Sequence, residues 1–226
     1  MKMTHLHHPS MQTSAITRPV GPVDLQATGL SFKTSERVLF TNLTAHIPSG
    51  LTWVTGGEDR GKTTLLRLLA GELSTQAGTL SINGVDLNNQ ATAYKAQVFW
   101  IAPRSEAFDQ LTVADYFTTV QYRYPRFDAL LLADLVEGLS LAEHLNKALY
   151  MLSAGSKRKV WLAAAFASCA AVTLLDEPFA ALDMASIRFV TELLTDAAEN
   201  SGRAWVIADY EAPSGLPLAG VIDLGD

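Results

Sequence analysis

The stretch GGEDRGKTT, residues 56–64, sets Gly56, Gly57, Glu58, Asp59, Arg60 and Gly61 ahead of Lys62, Thr63 and Thr64. A Gly-x-x-x-x-Gly-Lys-Thr frame suits phosphate. Successive backbone N–H groups point at its oxygens, a helix dipole adds positive potential, the lysine reaches the β and γ oxygens, and the threonine hydroxyl ligands Mg²⁺. Two of the variable positions are carboxylates, which oppose a negative ligand. At roughly 6 Å and an effective dielectric of roughly 20 to 40, each repels a phosphate charge by about 1 to 3 kcal/mol. That is up to about a hundredfold in affinity, a weakening and not an abolition. The backbone carries the phosphate contacts, so the Glu58 and Asp59 side chains can point outward, and aspartate tolerates the left-handed region that glycine favours. Further along, AVTLLDEP ends an apolar run in Asp176, Glu177 and Pro178. A carboxylate at a strand end beside a phosphate loop can hold Mg²⁺, and its neighbour can polarise an attacking water. Asp176 is the expected metal ligand together with Thr63, and Glu177 the expected general base. Each motif also has a plain structural reading, as a glycine-containing turn or as a carboxylate pair capping a strand or helix.

The elements around these residues favour the chemical reading. LTWVT, rich in β-formers, precedes the loop and TTLLRLLAGE follows it with helical leucine spacing that stops near Gly71. RVLF and LTAHI suggest strands from about Val23 to Ile47, PSG turns into LTWVT, and Asn83-Gly84 between apolar alternations marks a hairpin. VFWIA suggests another strand ending at Pro103. From about Leu111 to Leu149 the spacing is helical. Then AVTLL, a helix from about Met184 to Glu199, and AWVIA restore the α/β alternation. Strands alternating with helices imply a mainly parallel sheet with ligands at the carboxyl ends of its strands.

A third motif, LSAGS at Leu152–Ser156, followed by LLDEP and by ALD at Ala181–Asp183, makes the chain resemble the ABC ATPase family from about residue 25 onward. The resemblance implies an α/β P-loop NTPase with a mainly parallel core sheet, an antiparallel β portion and an inserted helical subdomain at about 105–155. It would occupy residues 23–226 behind a flexible tail, residues 1–22. It also implies Mg-ATP as ligand, with Ser153 and Gly155 contacting the nucleotide of a second ATPase subunit, identical or not, and Asp183 at that interface. The membrane-spanning subunits would be separate proteins, leaving this chain cytoplasmic and peripheral on the inner face of the membrane. TNLTAHIPSGLTWVTGG, LSAG and LLDEPFAALD look most like the ATPases of the haem-export, cytochrome c maturation type.

Three positions depart from the family pattern. Arg104 stands where a glutamine touches Mg²⁺ and the membrane partner, and a guanidinium has only donors. Tyr210 stands where a histidine contacts the γ-phosphate, and His5, His7, His8, His46 and His144 all precede the signature, so none replaces it. Losing such a contact costs on the order of 10² in rate. Thr34 takes the place of an adenine-stacking aromatic, leaving Phe32 as the nearby candidate platform or as a core residue. Two functions stay open: a transport-coupled ATPase, slowed by these changes or completed by a different second subunit, and a nucleotide-binding regulatory module with negligible hydrolysis.

Composition narrows the partners. A formal charge of −6 without a long basic run provides no electrostatic footprint for nucleic acid or anionic lipid. The most apolar stretch, Val160–Leu175, spans about 16 residues, short of the roughly 18 to 20 of a membrane span. It reads as a buried helix followed by a buried strand. The single cysteine, Cys169, excludes an internal disulfide framework and fits a reducing compartment. MKMTHLHHPSMQTS lacks a signal-peptide core, and its histidines read as a polar tail or a metal-ligating group.

Overall fold

Three central strands divide their alternate side chains between two hydrophobic cores, and this division organises the fold. A computed structural model of the chain describes residues 22–102, 105–200 and 202–225. The first half forms β1 (Asp24–Lys33), β2 (Val38–Pro48), β3 (Gly50–Thr55), α1 (Lys62–Leu69), β4 (Ala77–Ile82), β5 (Val85–Asp86), α2 (Ala91–Lys95) and β6 (Val98–Phe99). The second forms α3 (Val113–Arg123), α4 (Ala129–Gly138), α5 (Ala154–Ala167), β7 (Val172–Asp176), α6 (Met184–Asn200), β8 (Ala204–Ala208) and β9 (Leu218–Asp223). β6, β7, β8, β3 and β9 pair in that order as a parallel sheet. An antiparallel sheet runs β2-β1-β4-β5.

β7 and β8 are buried throughout, as parallel strands covered on both faces must be. Leu51 and Trp53 of β3, Leu175 of β7, and Trp205 and Ile207 of β8 face one core, shared with α3, α5 and α6. Val54, Leu174 and Val206 face the other, shared with Leu65, Leu66, Leu68 and Leu69 of α1 and with the antiparallel sheet. The period of two thus supports a layer on each side. α5 has apolar residues all round its second half, Val160 to Ala167, because both α4 and the sheet pack on it.

Several local expectations appear as elements. Asn83 (φ 52°) and Gly84 (φ 78°) turn β4 into β5, the left-handed pair that a two-residue hairpin needs. Val160–Leu175 is the end of α5 followed by β7, and among the described residues no helix is long and apolar enough to cross a membrane. RVLF and LTAHI join into the one strand β2. VFWIA yields only two paired residues, since β6 is an edge whose ladder stops at Phe99↔Thr173. The pattern of β9, an edge strand with exposed Leu218 and Val221 and Gly220 at its middle, gave no strand signal.

Arg203, just before β8, locks the far end of α5. Its guanidinium donates to the carbonyls of Ala165 (3.0 Å), Phe166 (3.0 Å) and Ala170 (2.8 Å) and to the Thr173 hydroxyl (2.7 Å), 4.3 Å from the centre of the Trp205 ring. The cation thereby meets the negative end of the helix dipole and satisfies carbonyls the helix leaves open. Burial lowers its pKa to about 10, so it remains a cation at neutral pH. Arg203→Met should therefore cost about 3 kcal/mol or more, because it orphans several buried acceptors. A fall in the urea midpoint at constant slope is the expected result.

Candidate functional site

The loop from Gly56 to Gly61 runs from the carboxyl end of β3 to the first turn of α1. Gly61, at φ 93°, is the residue before the helix, and no side chain caps α1. The first-turn amides are therefore left for a ligand. A β-carbon at Gly61 would lie 3.0 Å from Phe40 Cζ and 3.3 Å from Leu39 Cδ1, so the loop is packed tightly on the start of β2. Asp59 adopts the left-handed conformation anticipated for it, φ 58°. Lys62 Nζ donates to the carbonyls of Gly56 (2.6 Å) and Gly57 (2.9 Å), folding the cation back over its own loop.

The two expected metal residues meet. Thr63 Oγ1 donates to Asp176 Oδ2 at 2.7 Å, joining the phosphate loop to the end of β7. Burial, foremost, raises the Asp176 carboxyl above the usual carboxylate range; the Thr63 bond and Arg158 oppose this, while Glu177 and Asp209 add to it. Asp209, after β8, is raised by burial in the same way. A cation seated among these groups would stabilise the charged forms. The side-chain oxygens of Thr63 and Asp176 are the hard donors Mg²⁺ takes.

Glu177 is exposed, at φ 46°, and its backbone N–H donates to the Ala208 carbonyl at 2.8 Å. This left-handed turn at the end of β7 brings the residue into the same cleft, about 750 Å³, as Lys62, Thr63 and Thr64. Tyr210 closes the rim. Its hydroxyl donates to Glu58 Oε1 at 3.2 Å and its ring centre lies 4.6 Å from Lys62 Nζ. Partial desolvation, then the Glu58 bond and the charges of Glu58, Glu177 and Asp59, raise its pKa and keep it a neutral donor. The acidic loop residue Glu58 and Tyr210 thus form one contact.

Ser153 caps α5, its hydroxyl accepting from the Ser156 N–H at 3.1 Å. Gly155 has no room for a side chain, since a β-carbon there would sit 2.4 Å from the Ala181 carbonyl oxygen. Asp183 caps α6 through Ser186 N (2.8 Å) and pairs with Lys159 of α5 (2.8 Å). Of the two roles open for Phe32, nucleotide platform or core residue, its position favours the core: it pairs with Phe40 across β1 and β2, packs on the core, and is not among the residues lining the cleft. Its alternation in β1 turns it inward, whereas the exposed loop Thr34–Arg37 reaches the cleft. Arg104 and the histidines His5, His7 and His8 lie outside the described residues.

One positioning residue had no sequence signal beyond being a cation on a mostly apolar helix. Arg158 of α5 donates through Nη1 to the Asp176 carbonyl at 2.8 Å, and its charge interacts with Glu177, Asp176 and Asp209. Burial lowers its pKa, and the three carboxylates counter this. The helix that begins at LSAGS thereby holds the backbone of Asp176.

Comparison with known proteins agrees with this arrangement. The family model described as ABC transporter matches residues 40–180. The "Cytochrome c biogenesis ATP-binding export protein CcmA" of Pseudomonas savastanoi pv. phaseolicola is 33% identical over 207 residues, 90% of this chain and 96% of that protein. The protein of that name from Haemophilus influenzae is 28% identical over 84% of this chain and 91% of its own length. Among solved structures, a putative ABC transporter ATP-binding protein from Pyrococcus furiosus superposes with a TM-score of 0.72 at 24% identity, covering 89% of this chain and 97% of that one. An ATP-binding subunit of an ABC transporter gives 0.74 at 22% identity over 83% and 79%. At those identities the structural likeness speaks for the fold, and the sequence matches carry the rest. On the loop, the paired Thr63 and Asp176, the LSAGS helix and these matches together, the chain belongs to the ABC transporter family as one of its ATP-binding subunits, an ABC ATPase.

Proposed function

We propose that this chain binds Mg-ATP in the cleft and hydrolyses it to drive separate membrane subunits, as part of an exporter. The observation that carries the reading is the 2.7 Å bond between Thr63 and Asp176, which places a phosphate loop and a strand-end carboxylate around one point. The export proteins among its relatives support the direction and the class of partner. The loop residues Gly56–Thr64 surround the phosphates. Lys62 exchanges its two carbonyl partners for phosphate oxygens. Thr63 and Asp176 would hold Mg²⁺, which when bound would supply charge neutralisation for the phosphates. Glu177 accepts a proton from the attacking water, and Arg158 keeps the strand end carrying it in place. Ser153 and Gly155, at the amino end of α5, face the nucleotide of a second subunit, with Asp183 nearby. The chain lies on the inner face of the membrane through its partners.

Tyr210 gives slow turnover in this scheme. A phenol offers one neutral hydrogen bond toward the γ-phosphate, and here it is engaged with Glu58. That contact favours a second reading, in which nucleotide closes a dimer and hydrolysis is negligible; a heterodimer whose other subunit supplies the histidine is a variant of the first.

Binding and turnover separate these readings. Lys62→Ala should lower Mg-ATP affinity by about 30- to 150-fold, the value of one or two charge-assisted bonds, in calorimetric titration. Unchanged affinity would show the loop to be a remnant. Glu177→Gln should reduce steady-state ATPase activity by about 10² or more; equal background rates in both proteins would sink hydrolysis by the isolated subunit. Tyr210→His should raise turnover, by up to about 10², and no gain would remove the tyrosine from the explanation of slow turnover.

A further inference from the structure

The cleft is lined by two groups of residues. Lys62, Thr63, Glu177 and Tyr210 form the group that handles phosphate, and the loop Thr34–Arg37 between β1 and β2 forms the other. Among the described residues lining the cleft, Tyr210 carries the one aromatic ring, and it sits against Lys62. For a nucleoside triphosphate with its phosphates on the loop beside Lys62, the Thr34–Arg37 segment is the part of the lining left for the base. We infer that the base is carried by the guanidinium of Arg37, which stacks on it in place of an aromatic side chain. This rests on the reading of the cleft as a nucleoside triphosphate site.

The position of Arg37 is fixed from two directions. Thr34 N–H donates to the Arg37 carbonyl at 2.8 Å, and the N–H groups of Glu36 and Arg37 donate to Thr34 Oγ1 at 3.2 and 3.1 Å, which closes the loop on itself. The start of β2 then packs against the phosphate loop through Leu39 and Phe40 at Gly61. From this base Arg37 Nη2 donates to the carbonyl of Asp59. The left-handed backbone of Asp59 is part of that contact, so the residue whose carboxylate looked adverse contributes its carbonyl.

A guanidinium held by an in-plane bond at one edge keeps both planar faces for stacking. Cation on π-face attraction is indifferent to which base supplies the face. The site should therefore take adenine and guanine triphosphates with similar affinity. Lysine cannot replace a planar surface, whereas tyrosine can.

The test is calorimetry on the full chain with Mg-ATP, Mg-GTP and Mg-tripolyphosphate. Arg37→Ala should weaken ATP and GTP together, by about 5- to 150-fold, the range for one stacked base, and change tripolyphosphate binding far less. Arg37→Tyr should keep ATP affinity near that of the unaltered protein, and Arg37→Lys should not. Equal losses for ATP and tripolyphosphate, or rescue by lysine and not by tyrosine, would overturn the inference by making Arg37 a charge. Unchanged ATP affinity in Arg37→Ala would overturn it alone. An unaltered protein that binds neither ATP nor GTP would overturn the nucleotide reading and this inference with it.

Discussion

A parallel sheet has no face to give to water, and this constraint shapes everything around the cleft. Burying β7 and β8 on both sides requires a helical layer on one face and α1 with the antiparallel sheet on the other. Parallel strands end at a common edge, and the register pairs Val54 with Ala208 and Ala208 with Asp176. The phosphate loop, the Asp176–Glu177 turn and the Asp209–Tyr210 turn are neighbours for that reason alone. Chemistry collects at the one edge where backbone leaves the sheet and side chains are not needed for packing.

Three arginines carry polar contacts from one element to another. Arg158 reaches from α5 to a carbonyl of β7, Arg203 reaches from before β8 to the end of α5, and Arg37 reaches from the antiparallel sheet to the phosphate loop. All three end on backbone carbonyls. A guanidinium offers several donors in a rigid plane, so a single residue can tie a strand or helix end whose own acceptors are spare. None of these ties was legible in the sequence, because each joins residues far apart along the chain and a lone arginine has no pattern.

What could be read was local. Gly56–Thr64, Asp176-Glu177 and the Asn83-Gly84 turn each carry their geometry within a few residues, and the first two meet through the Thr63–Asp176 bond. The core strands were readable because burial on both faces leaves an unbroken apolar run. β9 was not, since an exposed edge strand with a central glycine has neither an apolar run nor clean alternation. Two roles were open for Phe32, platform or core, and its inward face in β1 packs it on the core, while the chain leaves the strand between Phe32 and Thr34. The pairing of Tyr210 with Glu58 could not be read, since it depends on β3 and β8 being adjacent, which sequence order conceals.

The absence of a β-carbon at Gly155 has a mechanical meaning. The first turn of α5 lies directly on the Ala181 carbonyl, Lys159, the residue after Arg158, grips Asp183, and Arg203 pins the opposite end of the helix. With contacts at both ends and along its side, α5 joins the Ala181–Asp183 turn, the start of β8 and α4 into one packed unit, so a side chain at position 155 would have to displace the turn after β7 to be accommodated.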